Sequence, residues 1–445
     1  MKVRRRVAME FAREQYLQQL IDSREDGLIK VITGIRRAGK SYLLNEIFYR
    51  WLCSSVADSQ HVVRFAFDSL EDAEKIEDSF NDASGKMKKR DASKFLTYIN
   101  SRMTDEGMYY LLLDEVQNLE SFEGVLNGLQ RRRNVDIYVT GSNSRFLSTD
   151  ILTEFRGRGE EIHVFPLTFR EYVQGTGLTQ EDAWREYLIT GGIPLVAGLR
   201  QERQKEQYLK ALCDEVYLRD IVARNKVKNE ADLSDLLDVT ASMMASITNP
   251  TRITNTFNAE KKKNISDDTI HSYLRYFEEA FLISRVKRYD IEGRRYINAG
   301  YKFYFEDIGI RNARLNFRQL NETHLMENII YNELRARGLN VDIGALEISE
   351  KTDRLDKNGK VIYTKKQLEV DFIATAGSRK YYIQSAWALP DEEKEQQEKR
   401  PLVRIHDSFR KIVVVNDHLR VRRDETGVTT LSLFDFLLDE HSLDI

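Results

Sequence analysis

The sequence predicts an α/β protein founded on a parallel β-sheet, with a second α/β unit toward its carboxyl end. Three observations carry this. Short apolar runs alternate with segments of helical spacing through the amino-terminal third, and the first of those runs ends in a glycine-rich turn. The same alternation returns in residues 301–445. Strand, helix, strand, helix in this order calls for a parallel sheet covered on both faces.

Taken in order, residues 28–33 form an apolar run ending at Gly34, a strand that feeds a glycine turn. Residues 42–52 follow with helical spacing of Leu43, Leu44, Ile47, Phe48 and Trp51. Further strands are expected at 61–67, 108–113, 135–139 and 161–165, the last closed by Pro166, with helices at 93–103 and 122–132 between them.

Bulk properties narrow the class. A chain of 445 residues is long for one core and predicts two or three domains. Apolar residues make up 41% and charged residues 31%, an ordinary globular balance. The net charge of -3 gives no global attraction to nucleic acid, so any basic surface is local. Cys53 and Cys213 match no metal or redox spacing, and two cysteines in so long a chain argue against a disulfide-stapled secreted protein. The basic opening Met1-Lys2-Val3-Arg4-Arg5-Arg6 runs into Glu10, Arg13 and Glu14, not into the apolar core of a signal peptide. No stretch approaches the ~20 apolar residues that span a bilayer. A cytoplasmic protein with no membrane association is expected.

The segment Gly34-Ile35-Arg36-Arg37-Ala38-Gly39-Lys40-Ser41 is a full G-x4-G-K-[ST] match. Its glycines let the backbone wrap phosphates, and the next helix aims free N–H groups and its positive dipole end at them. This predicts ATP binding by residues 34–41 and Tyr42, with Lys40 reaching the β- and γ-phosphates and Ser41 holding Mg²⁺. A merely solvated Gly-Lys-Ser loop would not need a strand before it and a helix after it.

A second motif, Tyr109-Tyr110-Leu111-Leu112-Leu113-Asp114-Glu115, is an apolar strand ending in two carboxylates. Asp114 is expected in the Mg²⁺ shell and Glu115 as the group that polarises the attacking water. Alone, it would read as an acidic loop after a core strand. The fourth strand ends in Thr140-Gly141-Ser142-Asn143-Ser144, where Asn143, or Ser142 in its place, is expected to position the water; the plain alternative is a turn. In Arg156-Gly157-Arg158-Gly159, either arginine, with Arg158 preferred, is a candidate for steadying transition-state charge in cis or across a subunit contact. Surface solvation is the simpler reading of both.

These segments, with Val164-Phe165-Pro166-Leu167, Gly191-Gly192-Ile193-Pro194 and Tyr217-Leu218-Arg219-Asp220-Ile221, resemble a group of prokaryotic AAA-superfamily ATPases. That group carries a winged-helix region and a carboxy-terminal restriction-endonuclease-like domain of uncharacterised role. The resemblance covers nearly the whole chain and implies nucleotide hydrolysis coupled to a partner.

The expected architecture is therefore a P-loop NTPase parallel sheet with a helical lid, a winged helix and a carboxy-terminal nuclease-like α/β domain. The boundaries are 1–175 for the ATPase core, 176–245 for the lid, 246–300 for the winged helix and 301–445 for the last domain. In the lid, Arg219 and Arg224 are expected in surface or ion-pair roles, with a nucleotide-facing role as the alternative. Ser266-Asp267-Asp268-Thr269 gives a helix start, followed by Ile270, Tyr273, Leu274 and Phe277 on one face, then two wing strands around Glu292-Gly293. The region is locally basic at 261–263, Arg275, Lys287, Arg288, Arg294 and Arg295. Asp267 and Asp268 would repel phosphates at the reading end of the helix, so DNA contact would fall to the wing, with pure packing as the alternative.

In the last domain, Glu327 on an amphipathic helix, Asp371 on one strand and Gln384 on the next resemble a restriction-endonuclease-like site. There, two carboxylates hold a metal and a lysine two positions after the Gln helps activate water. Position 386 is Ala instead, and Lys380 stands at the strand start. The expectation is a degenerate site kept for binding or packing, with Glu327, Asp371 and Gln384 still a candidate metal set. Two functions remain: an ATPase that couples hydrolysis to conformational change on a DNA or protein partner, as monomer or oligomer, and a nucleotide-dependent switch with little turnover. An ATP-dependent nuclease is a third.

Overall fold

The computed structural model describes residues 9–77, 81, 88–141, 157–355 and 361–444. They fall into two compact units: 1–166 together with Phe277–Leu282, and the remainder.

The first unit is an α/β sandwich. Its strands are β1 (Ile29–Thr33), β2 (Val62–Ala66), β3 (Tyr109–Asp114), β4 (Val135–Thr140) and β5 (Gly159–His163). They lie in the order β2-β3-β4-β1-β5, and every neighbouring pair is parallel. β1 and β3 are buried along their whole length, which is why both read as unbroken runs and not as alternation. One sheet face presents Ile29, Val31, Val63, Phe65, Leu111, Leu113, Ile137 and Val139 to a core that includes Phe95, Ile99, Leu126 and Leu129 from the helices Ala92–Arg102 and Phe122–Gln130. The opposite face carries a charge inside the apolar run. Lys30 is fully buried, and its Nζ lies 2.7 Å from both Asp136 Oδ1 on β4 and Asp26 Oδ1. Tyr138 Oη (2.8 Å) and the Glu25 N–H (2.9 Å) donate to the other Asp136 oxygen.

The second unit begins with helices and continues into an eight-stranded mixed sheet, β12-β13-β11-β10-β9-β8-β6-β7. Its strands are β6 (Ile283–Asp290), β7 (Arg295–Phe305), β8 (Asn340–Leu355), β9 (Val361–Ala376), β10 (Arg379–Ala386), β11 (Arg410–Val415), β12 (Arg422–Arg423) and β13 (Val428–Ser432). The two strands expected around Glu292-Gly293 do form an antiparallel hairpin, β6–β7. β6 also pairs in parallel with β8, so the hairpin forms the edge of the carboxy-terminal sheet.

The Gly191-Gly192 pair has a steric explanation. A Cβ on Gly191 would meet Asp307 Oδ1 at 2.3 Å, and one on Gly192 would meet the Leu167 carbonyl oxygen at 2.3 Å. Leu167 N donates to Gly192 O (2.7 Å), and Gly192 N donates to Asp307 Oδ2 (2.7 Å). Asp307 also caps the helix Ile308–Arg314 by accepting from Ile310 N (3.1 Å). Next to it, Asn312 donates to the carbonyls of Leu188 (3.1 Å) and Ile189 (2.9 Å). Here a strand end, a glycine turn and two helices share one buried polar layer.

Burial pushes the Asp307 carboxyl from the ordinary 3.8 to about 6, against the pull of three backbone N–H donors. Its folded-state pKa is raised, so its contribution to stability is full below pH 3.8 and is lost as pH rises through about 6. Melting curves from pH 4 to 7 should show a falling component that is absent in Asp307→Asn, which should also start from a lower baseline. Parallel pH profiles for the two proteins would refute this linkage.

Candidate nucleotide site and a second polar cluster

β1 delivers the chain into the glycine loop at the carboxyl edge of the sheet. Gly34 has φ 124° and Gly39 φ 98°, both left-handed, and a Cβ on Gly34 would meet the Val164 carbonyl oxygen at 2.2 Å. Arg37 takes φ 68° without being glycine. The loop thus turns tightly against the segment after β5 and opens its N–H groups at the start of the next helix. That helix begins as Lys40–Tyr42, passes through a π-helical stretch at Leu43–Phe48 and ends as Tyr49–Ser55.

Lys40 is buried, and its Nζ donates to Gly34 O (2.7 Å) and Ile35 O (2.9 Å). The ammonium is therefore held over the loop's own carbonyls, where anionic oxygens would compete for it. Ser41 Oγ donates to Asp114 Oδ1 at 3.0 Å, tying the loop to the end of β3. Two further donors reach the same carboxylate: Asn45 Nδ2 (3.2 Å to Oδ2) and the hydroxyl of Thr140 at the end of β4. Thr140 Oγ1 in turn accepts from the Glu115 N–H (3.0 Å). Burial raises the Asp114 carboxyl above its ordinary range; the Thr140 and Ser41 hydroxyls oppose this, and the nearby charges of Glu115 and Asp68 add to it. A hydroxyl and a carboxylate 3.0 Å apart beside a phosphate-binding loop suit Mg²⁺, which keeps several waters and needs few protein ligands.

Glu115 follows in left-handed backbone (φ 52°), and its carboxylate accepts from the Gln117 amide. Tyr42 is exposed at 39%, and its hydroxyl donates to Glu10 Oε1 (2.9 Å). Ser142, Asn143 and Arg156 lie outside the described residues. Arg158 is at the other end of the sheet: its carbonyl accepts from Ile29 N (2.8 Å) at the start of β1, whereas the glycine loop follows the end of β1. Lys40, Ser41, Asp114 and Glu115 are therefore brought together and Arg158 is not. In the helical part of the second unit, Arg224 pairs with Asp220 (2.7 Å) one turn earlier.

Three neighbours escaped sequence reading. Asn45 is four positions after Ser41 on one helix face, a spacing that could have flagged it. Thr140 was visible as the polar end of an apolar strand. Asp68 lies just past β2, where its carboxyl is raised by burial and by Glu115 and lowered by Arg36.

The second cluster lies in the carboxy-terminal sheet. Glu327 on the helix Glu322–Ala336, Asp371 on β9 and Gln384 on β10 do converge, each 9% exposed or less. Asp371 N donates to Gln384 Oε1 (3.4 Å), and Ser385 N donates to Asp371 Oδ2 (2.8 Å). The lysine comes from elsewhere. Lys302 on β7 places Nζ 2.7 Å from Glu327 Oε1, 2.6 Å from Glu369 Oε1 and 4.0 Å from Asp371 Oδ1. Tyr304 Oη donates to the same Glu327 oxygen (2.5 Å). Lys380 lies instead over the Phe409 ring, 4.8 Å from its centroid. Burial lifts the Asp371 carboxyl well above its ordinary range, Glu327 and Glu369 add to this, and Lys302 opposes it.

Comparison with known proteins bears on the fold of the first unit. Residues 26–173 match the AAA domain family, and residues 181–321 match a domain of unknown function. An uncharacterized protein of Haemophilus influenzae is 31% identical over 434 residues, spanning 96% of this chain and 98% of that one. An uncharacterized protein of Methanocaldococcus jannaschii is 26% identical over 386 residues, 83% of this chain and 77% of its own. Among solved structures, the Aeropyrum pernix ORC1 protein in complex with DNA covers 69% of this chain and 93% of its own at 13% identity and a TM-score of 0.32, a likeness too slight to carry a functional inference. No helix among the described residues is long and apolar enough to cross a membrane. By its near full-length match, the chain belongs to the family of the Haemophilus influenzae protein, and its residues 26–173 are an AAA domain with the P-loop fold of the nucleotide-binding ATPases.

Proposed function

We propose that the chain binds and hydrolyses Mg-ATP and uses the cycle to change conformation against a DNA or protein partner. The observation that carries this is the convergence of Lys40, Ser41, Asp114 and Thr140 at the carboxyl edge of β1, β3 and β4. Phosphates entering the loop would meet its N–H groups and draw the Lys40 ammonium off the Gly34 and Ile35 carbonyls. Ser41 and Asp114 would hold Mg²⁺, which when bound supplies positive charge to the phosphate oxygens. Glu115, next to Asp114, would orient the attacking water and accept its proton. Asn143 remains the proposed water-positioning residue. Arg158, at the far edge of its own sheet, could meet a nucleotide only across a subunit contact. DNA contact is proposed for the exposed side chains Lys287, Arg294 and Arg295 at the β6–β7 hairpin.

A second reading has its own observation. The Gln117 amide holds the Glu115 carboxylate, which favours a slow switch in which the base is restrained until a partner frees it. The two readings separate by experiment. Phosphate release should be measurable for the native chain, should fall about 100-fold or more in Glu115→Gln with ATP binding kept, and should fail in Lys40→Ala through lost affinity. Duplex DNA should stimulate turnover under the DNA reading; a native chain that binds ATP and never turns over removes the hydrolysis proposal. Under the switch reading Gln117→Ala should raise basal turnover, and an unchanged rate would dismiss the restraint.

Thr140→Val keeps shape and removes the hydroxyl shared by Asp114 and Glu115. We expect about 1–3 kcal/mol of lost stability, nucleotide affinity within a few-fold of native, and turnover down about tenfold through misplacement of both carboxylates. Equal turnover in the two proteins would show that Thr140 plays no positioning part.

A further inference from the structure

Three carboxylates in the carboxy-terminal sheet converge on one point, and a side chain already sits there. Glu327, Glu369 and Asp371 come from a helix and from two positions on one face of β9. Lys302 enters from β7, across β8 and β6 in the strand order, and its ammonium lies within 2.7 Å of two of them. The Lys302 side chain is 5% exposed, and those of Glu327 and Asp371 are 8% and 10% exposed. Two further donors reach the cluster: Tyr304 donates to Glu327 and the Ser385 N–H to Asp371. On β10 the position that would offer a lysine to this cluster is Ala386, buried among apolar neighbours.

We propose that Lys302 is the resident cation of the Glu327–Glu369–Asp371 cluster, its ammonium standing where a divalent ion would otherwise bind, so that this site is built to hold together without metal. Buried carboxylates repel one another and are costly to desolvate unless a positive charge lies among them. A divalent ion and a well-placed ammonium both meet that need, but only one of them fits at a time. An ammonium is tethered to the chain, is not lost to chelators and offers no open coordination position to a water. Burial disfavours its charge, and the attraction of Glu327, Asp371 and Glu369 more than restores it. On this reading the carboxy-terminal unit is a metal-independent binding or packing body, whether or not the P-loop hydrolyses ATP.

The test uses the nucleotide-free full chain and Mn²⁺ as the probe, followed by the spin resonance of free Mn²⁺ and by melting temperature. Native protein should give the same Mn²⁺ uptake as Asp371→Asn, any ion at Ser41 and Asp114 being common to both. Lys302→Met should bind one additional Mn²⁺ at least about tenfold more tightly than native and regain melting temperature with it, and adding Asp371→Asn should abolish both gains. If Lys302→Met fails to fold, Lys302→Met with Glu369→Gln has one fewer carboxylate charge to balance and should still gain a Mn²⁺ site, held by Glu327 and Asp371. Native uptake that Asp371→Asn removes would overturn the proposal, as would a folded Lys302 variant with no gain; should neither variant fold, the comparison of native with Asp371→Asn decides.

Discussion

The carboxylate of Asp114 is the point from which the nucleotide site is organised. It accepts hydrogen bonds from the P-loop helix, through Ser41 and Asn45, and from the end of β4, through Thr140. The P-loop helix, Asp114 and Thr140 are far apart in sequence. They meet because β1 lies beside β4 and β4 beside β3, so three parallel strands end at one edge. The cost of burying Asp114 is offset by those three donors, and the arrangement holds only while all three strands keep their register.

The second unit shows the same economy with opposite chemistry. At Asp307 a buried carboxylate is satisfied by backbone N–H groups, in a space that only glycine at 191 and 192 leaves open. At Lys302 the carboxylates are satisfied by a side-chain cation. In the first case the demand falls on backbone shape, which makes the Gly191-Gly192 pair intolerant of any side chain. In the second it falls on charge, which ties β7, β9 and the Glu322–Ala336 helix to one another.

Sequence alone disclosed the parts of this molecule that depend on local pattern. Four strands of the parallel sheet follow from apolar runs, and the glycine loop from its spacing, because both are properties of consecutive residues. The fifth strand, Gly159–His163, is mostly polar and lies two residues before the expected 161–165. The strand order and the β6–β8 pairing depend on contacts far apart in the chain, and no periodicity encodes them. For that reason the β6–β7 hairpin reads from sequence as the wing strands of a 246–300 region, whereas β6 also joins the carboxy-terminal sheet through β8. Glu327, Asp371 and Gln384 were legible as a spaced pattern, whereas Lys302 was not, since it reaches them from a strand outside that pattern. The turn around Arg158 looks exposed in the sequence, and the direction of β5 reveals which edge of the sheet it occupies.

The buried Lys30 has a consequence for how this sheet assembles. Two of its neighbours on β1, Ile29 and Val31, would pack almost as well against β4 in several alignments, since hydrophobic contact is tolerant of sliding. The ion pair with Asp136 is not. Moving β4 by one residue turns Asp136 to the opposite face, and moving it by two carries the carboxylate about 6–7 Å along the strand. Either leaves the buried ammonium with Asp26 alone and separates the buried Asp136 carboxylate from its cation, which is destabilising. Lys30 thus acts as a proofreader of strand alignment, and the alignment it enforces is the one that sets Thr140 beside Asp114 at the other end of the same strand.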